Sequence, residues 1–495
     1  MTEDPHSQDK DRVIVRGRKR NLQQFEQPAK RKEFIDEFWA RLSPFLHNQA
    51  LAGLVLMGTT IIALVWANSP WADSYSRIWH TYFGITFGDF SLKYSLQHWI
   101  NDLLMAFFFF VVGLEIKREV IAGELSTASK ALLPVMAAIG GMIVPAVFYM
   151  LFNLDSPYHR GWGIPMATDI AFALGILSLF GKRVSPALKI FLAALAIADD
   201  IGAVLVIALF YTEGLEIIKV VSGFGFLGVL AFFNFIGIRE SLPYLIVGIG
   251  GLWLSFLLSG IHPSVAGVLA AFAIPARRKL NAPAFLLAVK PQMETFVDEF
   301  RDRRESQRTP FLDKHQLHAI FELEEAYKAA TPPLQRMENR LHPWISFAVM
   351  PLFALANAGV AIDMDSISRL SSPLSLGIIV GLFIGKQVGV FSATWLTVKI
   401  GLAKLPEGVN WAKIYGASCL AGIGFTMSLF ISTLAFKGQD DALESAKLAI
   451  LIGSIISGIL GSILIMLGTS YQEKKNPADQ IQDSANRQGE AARHA

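Results

Sequence analysis

The chain is poor in cysteine and in charge. Cys419 is the only cysteine among 495 residues, so no disulfide can form within the chain and no group of thiolates can bind a metal ion. Charged residues make up 17% of the sequence, whereas a soluble globular domain has about 25%. The net charge of +3 gives no reason to expect nucleic acid as a partner. These deficits exclude a disulfide-stabilised secreted domain and argue against a water-soluble protein.

Long apolar runs take the place of the missing charge. Hydrophobic residues make up 53% of the chain, and 36 of them are phenylalanines. Twelve runs are long enough, or nearly long enough, to cross a bilayer as a helix. They cover residues 50–68, 98–116, 131–152, 165–180, 187–211, 216–237, 244–260, 263–275, 344–360, 374–396, 415–436 and 446–468. The sequence therefore predicts an all-α polytopic membrane protein with about twelve transmembrane helices.

Basic residues predict the orientation of these spans. Of the 44 Lys and Arg residues, 35 lie in segments on the side of the termini and 7 lie on the other side. Because positive charge accumulates on the cytoplasmic side, both termini are expected to be cytoplasmic. The predicted organisation is a cytoplasmic tail over 1–45, helices 1 to 8 over 46–275, a long cytoplasmic loop over 276–341, helices 9 to 12 over 342–468, and a disordered cytoplasmic tail over 469–495.

The long loop over 276–341 contains apolar residues at helical spacing. Leu286 and Met293 mark one such stretch, and Leu317 and Phe321 mark another. Short amphipathic helices are the prediction. They could pack on the cytoplasmic face, bind lipid headgroups or contact the core of the protein, and the sequence does not choose among these.

Two adjacent carboxylates occupy the middle of the fifth apolar run. Each of Asp199 and Asp200 costs about 2.5–3.5 kcal/mol to insert there, so an ion or proton path is expected. Neighbouring helical positions point about 100° apart, so one side chain can face a cavity while the other packs against a partner. Lys386 lies deep in the tenth run, and a buried ammonium requires a carboxylate. Either Asp199 or Asp200 is the expected counter-charge.

The fourth and eleventh runs contain residues that interrupt helices. The fourth holds Pro165, Thr168 and Asp169, and the eleventh holds Gly422 and Gly424. Interrupted spans at matching places in two halves of a chain are typical of transporters with an inverted repeat. Thr168 and Asp169 are therefore candidates for the same cation site. Asp169 could also offset the positive ends of half-helices, and a capping role for Thr168 remains open.

Motifs along almost the whole chain resemble one family. The sequence is similar to the NhaA family of bacterial Na⁺/H⁺ antiporters from residue 35 to residue 468. The matching motifs are VVGLEIKRE at 111–119, ATDIAFALG at 167–175, LAIADDIGA at 195–203, LHPW at 341–344, PLFALANAGV at 351–360, GK at 385–386 and GFTMSLFI at 424–431.

The resemblance implies an NhaA-like fold with inverted repeats, in which discontinuous helices 4 and 11 cross at the midplane. It further implies an electrogenic antiporter of the inner membrane that exports Na⁺ or Li⁺ by alternating access, in exchange for more than one H⁺. Asp200 would be the main cation and proton site, Asp199 would pair with Lys386, and Asp169 would lie beside the crossing. No resident cofactor is expected. Membrane lipid and a second copy of the chain, joined through a β-hairpin over residues 81–95, are the expected partners.

The resemblance also implies activation at alkaline pH. Its regulatory cluster corresponds to Glu115, Arg118, Glu119 and Glu338, and His262 matches a position linked to pH response. The chain departs from the family pattern at two places. Asn339 stands where a histidine follows the glutamate, and Gln387 stands where many members have proline.

Two other functions remain open from the residues alone. Acidic spans can line a cation channel, which would conduct sodium without moving protons. An intramembrane aspartyl protease would need two carboxylates, such as Asp169 and Asp200, to share one proton. Lys386 in the same core would hold a carboxylate ionised and oppose that sharing. A transporter of organic anions is disfavoured because no second cationic residue lies deep in a span.

Overall fold

The computed structural model describes residues 49–88, 90–212, 214–302 and 314–475. The predicted tail over 1–45 and residues 476–495 of the second predicted tail lie outside these ranges. Within them the regular secondary structure is helical apart from one β-hairpin, which is consistent with a polytopic helical membrane protein.

The first part of the described chain contains nine α-helices and two strands. In order these are α1 (Gln49–Ala67), α2 (Ala72–Trp79), β1 (Tyr82–Phe87), β2 (Phe90–Ser95), α3 (Leu96–Ala122), α4 (Ala128–Asn153), α5 (Ile170–Leu179), α6 (Pro186–Phe210), α7 (Ile217–Ile236), α8 (Ser241–Leu257) and α9 (Pro263–Ala273). π-helical segments interrupt α3 at Ile100–Leu104 and α8 at Ile246–Trp253.

Nine further helices follow. They are α10 (Ala282–Asp302), α11 (Lys314–Ala330), α12 (Pro333–Trp344), α13 (Met350–Asn357), α14 (Met364–Ser368), α15 (Pro373–Lys399), α16 (Trp411–Leu420), α17 (Phe425–Ala435) and α18 (Asp440–Lys475). The π turn Ile345–Val349 joins α12 to α13, and another, Gly381–Gly385, lies inside α15. Short 3₁₀ segments cover His159–Met166, Gly181–Arg183 and Arg369–Ser371.

The helix that carries the two central aspartates begins at a polar cap followed by proline. The Ser185 side chain accepts a hydrogen bond from the backbone N–H of Leu188, and Pro186 is the first helical residue. α15 begins in the same way at Ser372 and Pro373. The cap satisfies an N–H that has no partner in the helix, and proline lacks the N–H that would need one.

The only strands in the described ranges form the hairpin that the sequence predicts over residues 81–95. β1 pairs with β2 antiparallel, with Tyr82 opposite Ser95 and Phe87 opposite Phe90. Gly88 in the turn has a φ of 60°, a left-handed conformation that glycine adopts without steric cost. The predicted hairpin is confirmed, and the dimer that the resemblance attaches to it stays a prediction.

Seven described helices, together with the 3₁₀–α5 segment His159–Leu179, are long and apolar enough to cross a membrane, and the bent pair α16–α17 would make a ninth span. Three of the twelve predicted spans fall outside this count. α8 and α9 coincide with two of them but are shorter apolar helices. The third, at 344–360, contains the π turn Ile345–Val349 and then α13, which is only 8 residues long.

Both predicted helix interruptions are present. Residues 167–169 are extended between the 3₁₀ segment and α5, and α16 and α17 meet at an angle of 43°. The two breaks touch, because the backbone N–H of Asp169 donates to the carbonyl of Ile423 at 2.7 Å.

Helices α4 and α15 pack backbone to backbone. A Cβ added to Gly389 would lie 2.2 Å from the carbonyl oxygen of Gly140, and one added to Gly385 would lie 2.7 Å from the Cα of Pro145. Only glycine allows this approach. It carries Lys386, the residue after Gly385, into the centre of the bundle, where its side chain is fully buried.

Two helices extend into segments that the sequence predicts as a loop and a tail. α12 begins at Pro333, inside the predicted loop over 276–341, and α18 continues to Lys475, beyond the predicted span end at 468. The added turns of both helices are polar. The spans were predicted from apolar runs, so these turns were not included in them. The same loop contains α10 and α11, the helices that its spacing predicts, packed against each other.

Candidate cation site

The two carboxylates of the fifth predicted span lie on α6 and are both buried. Asp199 and Asp200 are each 1% exposed. Burial of two adjacent acidic side chains requires a counter-charge, a proton or a bound cation for each.

Lys386 supplies the counter-charge to one of them. Its Nζ lies 2.5 Å from Asp199 Oδ2, and both side chains are fully buried. Gly141 of α4 borders the ammonium group, since a Cβ added there would lie 3.5 Å from Nζ. The residues alone left open which aspartate pairs with Lys386, and the structure selects Asp199.

The Thr168 hydroxyl connects this pair to the helix breaks. Thr168 Oγ1 lies 2.6 Å from Asp199 Oδ2 and 2.9 Å from the carbonyl oxygen of Ala421, and it accepts a hydrogen bond from Lys386 Nζ at 3.0 Å. A hydroxyl has one hydrogen, so it donates to either the carboxylate or the carbonyl at a given moment. Thr168 can therefore respond to a change at Asp199 by turning its hydrogen towards Ala421.

Each of the two aspartates keeps one carboxylate oxygen without a partner in the described part of the chain. Asp200 Oδ1 is buried and has no hydrogen-bond donor within reach among the described residues, and the same holds for Asp199 Oδ1. Buried carboxylate oxygens without donors are costly unless a proton or a cation is added. Hard oxygen atoms of this kind are the ligands that hard metal cations prefer.

Asp169 caps two half-helices at once. Its Oδ1 accepts from the backbone N–H of Phe172 in α5 at 3.1 Å, and its Oδ2 accepts from the backbone N–H of Thr426 in α17 at 2.9 Å. The Thr426 hydroxyl donates to the same Oδ2. A carboxylate between two helix N-termini offsets their positive ends. The sequence suggests two roles for Asp169, as a cation ligand or as a charge that offsets half-helix ends. The observed contacts are those of the second role.

Comparisons with known proteins place the whole membrane region in one family. The family model described as Na⁺/H⁺ antiporter 1 matches residues 43–465. A protein named Na(+)/H(+) antiporter NhaA from Oleidesulfovibrio alaskensis is 48% identical over 445 residues, which cover 90% of this chain and 97% of the relative. The chain belongs to the NhaA family of Na⁺/H⁺ antiporters.

Other NhaA proteins show similar agreement. The Wolinella succinogenes protein is 45% identical over 436 residues, covering 88% of this chain and 95% of the relative. The Helicobacter pylori strain HPAG1 protein is 45% identical over 425 residues, covering 86% of this chain and 94% of the relative. Membership in this transporter family and the apolar helices together make the chain a multi-pass membrane protein.

The residues that resemble the NhaA regulatory cluster lie together where α3 meets α12. Arg118 forms an ion pair with Glu338 and a second one with Glu119 Oε1 at 3.0 Å. Burial raises the pKa of the Glu338 carboxyl, and the nearby Arg118 partly offsets this. His342 Nε2 lies 3.9 Å from Glu115 Oε1 and thus adds an imidazole to the cluster. His342 is absent from the predicted set, although its position four residues after Glu338 puts it on the same helix face.

His262 lies apart from this NhaA cluster. Its Nδ1 caps α9 by accepting from the backbone N–H of Ser264, and its Nε2 lies 3.8 Å from Asp102 Oδ1. Asp102 and Glu115 are separated by about 20 Å along α3, at 1.5 Å per residue. Burial lowers the pKa of His262 to about 4, so the imidazole is neutral at pH 7. The geometry is that of a helix cap.

The two departures from the NhaA pattern have different surroundings. Asn339 is exposed beside the buried Glu338, so it does not replace a buried contact. Gln387 is buried, and its Oε1 accepts a hydrogen bond from the Tyr415 hydroxyl at 3.1 Å. Gln387 therefore connects α15 to α16 immediately after Lys386.

Proposed function

We propose that the chain is an electrogenic Na⁺(Li⁺)/H⁺ antiporter of the bacterial inner membrane that exports sodium and so serves sodium and pH homeostasis. One observation carries the proposal. A carboxylate pair and a lysine, Asp199, Asp200 and Lys386, are buried together beside two touching helix breaks. Ionisable side chains buried inside membrane spans are costly and mark ion or proton paths.

Sodium and protons would compete for the same oxygens. Na⁺ arriving at Asp200 would take its carboxylate oxygen and one from Asp199, which displaces Lys386 from Asp199. The Thr168 hydroxyl would then turn towards Ala421 or contribute its own oxygen to the ion. Protons would leave as Na⁺ binds and return as it departs, so the two ions cannot occupy the site together.

Exchange of more than one proton per sodium ion follows from two titratable elements. Asp200 would carry one proton, and the Asp199–Lys386 pair would carry another, because Lys386 needs its extra proton only while it faces Asp199. A net positive charge would then cross the membrane inward in each cycle. The membrane potential could therefore drive sodium outward.

Alternating access would use the helix breaks as the moving part. In this proposal twelve spans form two inverted repeats, the 3₁₀–α5 segment crosses the α16–α17 segment at the midplane, and both termini are cytoplasmic. The support is that the breaks share backbone contacts and that Asp169 holds both half-helix N-termini. A small rotation of these half-helices would expose the carboxylates to one side at a time.

Activation at alkaline pH would arise at the α3–α12 cluster. Arg118 forms ion pairs there with Glu119 and Glu338, and Glu115 Oε1 lies 3.9 Å from His342 Nε2. Loss of protons would change which partners Arg118 holds. His342 belongs to this proposed cluster. His262, with its capping geometry, would act on stability and not as the alkaline sensor.

The experiment is sodium-evoked proton movement in everted membrane vesicles, followed with a pH-sensitive dye from mildly acid to alkaline pH. Wild type should show a pH change on addition of NaCl, larger at alkaline pH, and Asp200→Asn should abolish it. Asp155→Asn, which alters an exposed aspartate outside the site, is the matched control and should respond like wild type.

Other outcomes would contradict the proposal. If Asp200→Asn retains the full response, Asp200 is not the principal site. If sodium crosses the membrane without any proton movement, the chain conducts sodium as a channel and is not an antiporter.

A further inference from the structure

Backbone hydrogen bonds hold the start of α10 and the end of α11 beside the end of α9 and the start of α12. We call this set of contacts the clamp at the base of the α10–α11 pair. Backbone N–H groups of Lys279 and Leu280 both donate to the carbonyl of Ala329, at 2.8 and 3.1 Å. The N–H of Leu334 donates to the carbonyl of Pro275 at 3.1 Å, so the chain returns to the point at which it left α9.

The connection between α7 and α8 reinforces this clamp. Arg336 donates to the carbonyl of Arg239 at 2.6 Å, and Arg239 donates to the carbonyl of Arg277 at 3.0 Å. Lys328 lies 3.6 Å from Glu240. The base of α10 is therefore held beside the ends of three membrane-associated helices, α7, α8 and α9.

One face of α10 is apolar and uncovered by any described part of the chain. Leu286 is 66% exposed, Leu287 75% and Met293 56%. Lys290 is exposed and lies on the same face, since it is four residues after Leu286, three after Leu287 and three before Met293. We call Leu286, Leu287, Lys290 and Met293 the α10 stripe. Large exposed apolar patches on a protein mark an interaction site.

The chain segment that leads into the α10 stripe and carries it has basic residues and no acidic ones. Arg277, Arg278, Lys279 and Lys290 are exposed, and no acidic residue occurs between Ala276 and Met293. Acidic residues begin at Glu294, farther from the clamped base. Basic charge therefore coincides with the apolar stripe and with the ends of membrane helices.

We propose that the α10 stripe lies on the bilayer surface, with Leu286, Leu287 and Met293 among the acyl chains and the basic run Arg277–Arg278–Lys279 at anionic lipid headgroups. A lysine inside an apolar stripe fits this position, because its stem can remain in the apolar layer while the ammonium reaches the headgroups. A protein partner would not require the basic residues to gather at the membrane-proximal end.

The test uses the full-length chain in vesicles of phosphatidylglycerol and phosphatidylethanolamine, in a Cys419→Ala background. Leu286→Cys is labelled with an environment-sensitive fluorophore, and quenching by brominated acyl chains in both leaflets is measured. Ala288→Cys is the matched control. It is exposed and close to Leu286 along the axis but faces about 160° away. Brominated lipid should quench the label at 286 strongly and the label at 288 little.

A charge-reversed variant tests the headgroup contact. Arg277→Glu, Arg278→Glu and Lys279→Glu together should reduce the quenching at 286 in anionic vesicles to the level found in purely zwitterionic ones. Both leaflets carry quencher and transport is not measured, so the result is independent of the orientation and of the proposed exchange. Equal, weak lipid quenching at 286 and 288 would overturn the proposal. Energy transfer between labels on two copies without lipid quenching would also overturn it, in favour of a second copy.

Discussion

Lys386 and Asp199 form an ion pair inside the described core. Both side chains are fully buried, and Thr168 hydrogen-bonds to both. Removal of one partner from such a pair leaves a buried charge without compensation. Stability should therefore respond to these two residues in a coupled way.

We expect Lys386→Met to destabilise the protein by about 3–5 kcal/mol, the usual cost of breaking a buried pair. The double variant Lys386→Met with Asp199→Asn should recover much of this loss, since no charge is then stranded. Thermal unfolding in detergent measures both effects. Lys189→Met, at a partly buried lysine near the start of α6, is the control and should change little. A double variant no more stable than the single one would show that Asp199 is not the charge that Lys386 compensates.

At the residue scale the sequence predicts which charged residues belong to the site better than it predicts which of them pair with each other. Two aspartates in an apolar run and a lysine deep in another are visible in the printed letters, because charge inside a span is rare. The choice of Asp199 over Asp200 depends on how α6 is rotated about its axis, and adjacent residues differ by about 100°. No local pattern encodes that rotation.

The contact between α4 and α15 is the element-scale feature that positions Lys386. It depends on glycine, because the Gly389 and Gly140 backbones are too close for any side chain. The same helix carries a π turn just before Lys386, which shifts the register of the residues that follow.

We expect Gly389→Ala to destabilise the protein by about 1–3 kcal/mol through overpacking and to weaken sodium-evoked proton movement by displacing α15. The added methyl would meet the carbonyl oxygen of Gly140 at 2.2 Å. Thermal unfolding and vesicle assays check the two effects. Gly228→Ala, on α7, has no atom within 4 Å of the new Cβ and should be tolerated. Equal tolerance of both changes would show that the helix contact is not tight.

The sequence predicts where helices are interrupted better than it predicts how long each helix is. Proline, glycine and polar residues mark both breaks, and the structure has both. The start of α12 at Pro333 is missed because its first turns are polar and share the composition of a loop. α8 and α9 read as spans from hydropathy, although they have fewer residues than a full crossing needs.

At the scale of the whole molecule, family and membrane character follow from the sequence, whereas the meeting of distant segments does not. Asp169 and Thr426 are 257 residues apart, and Lys386 and Asp199 are 187 apart. Resemblance to a known family is what allows the second of these contacts to be expected. For the α10 stripe the sequence predicts the helix itself. In our proposal the lipid bilayer covers the stripe, and the sequence alone does not select the bilayer as that partner.

The central claim is that sodium and protons compete for the carboxylates of α6. The most direct measurement is proton release when Na⁺ is added to the purified protein, with the apparent Kd for Na⁺ determined as a function of pH. We expect Na⁺ to release protons and its Kd to rise about tenfold per unit decrease in pH for each proton displaced. Asp200→Asn should release none. Sodium binding that is independent of pH and releases no protons would contradict the claim.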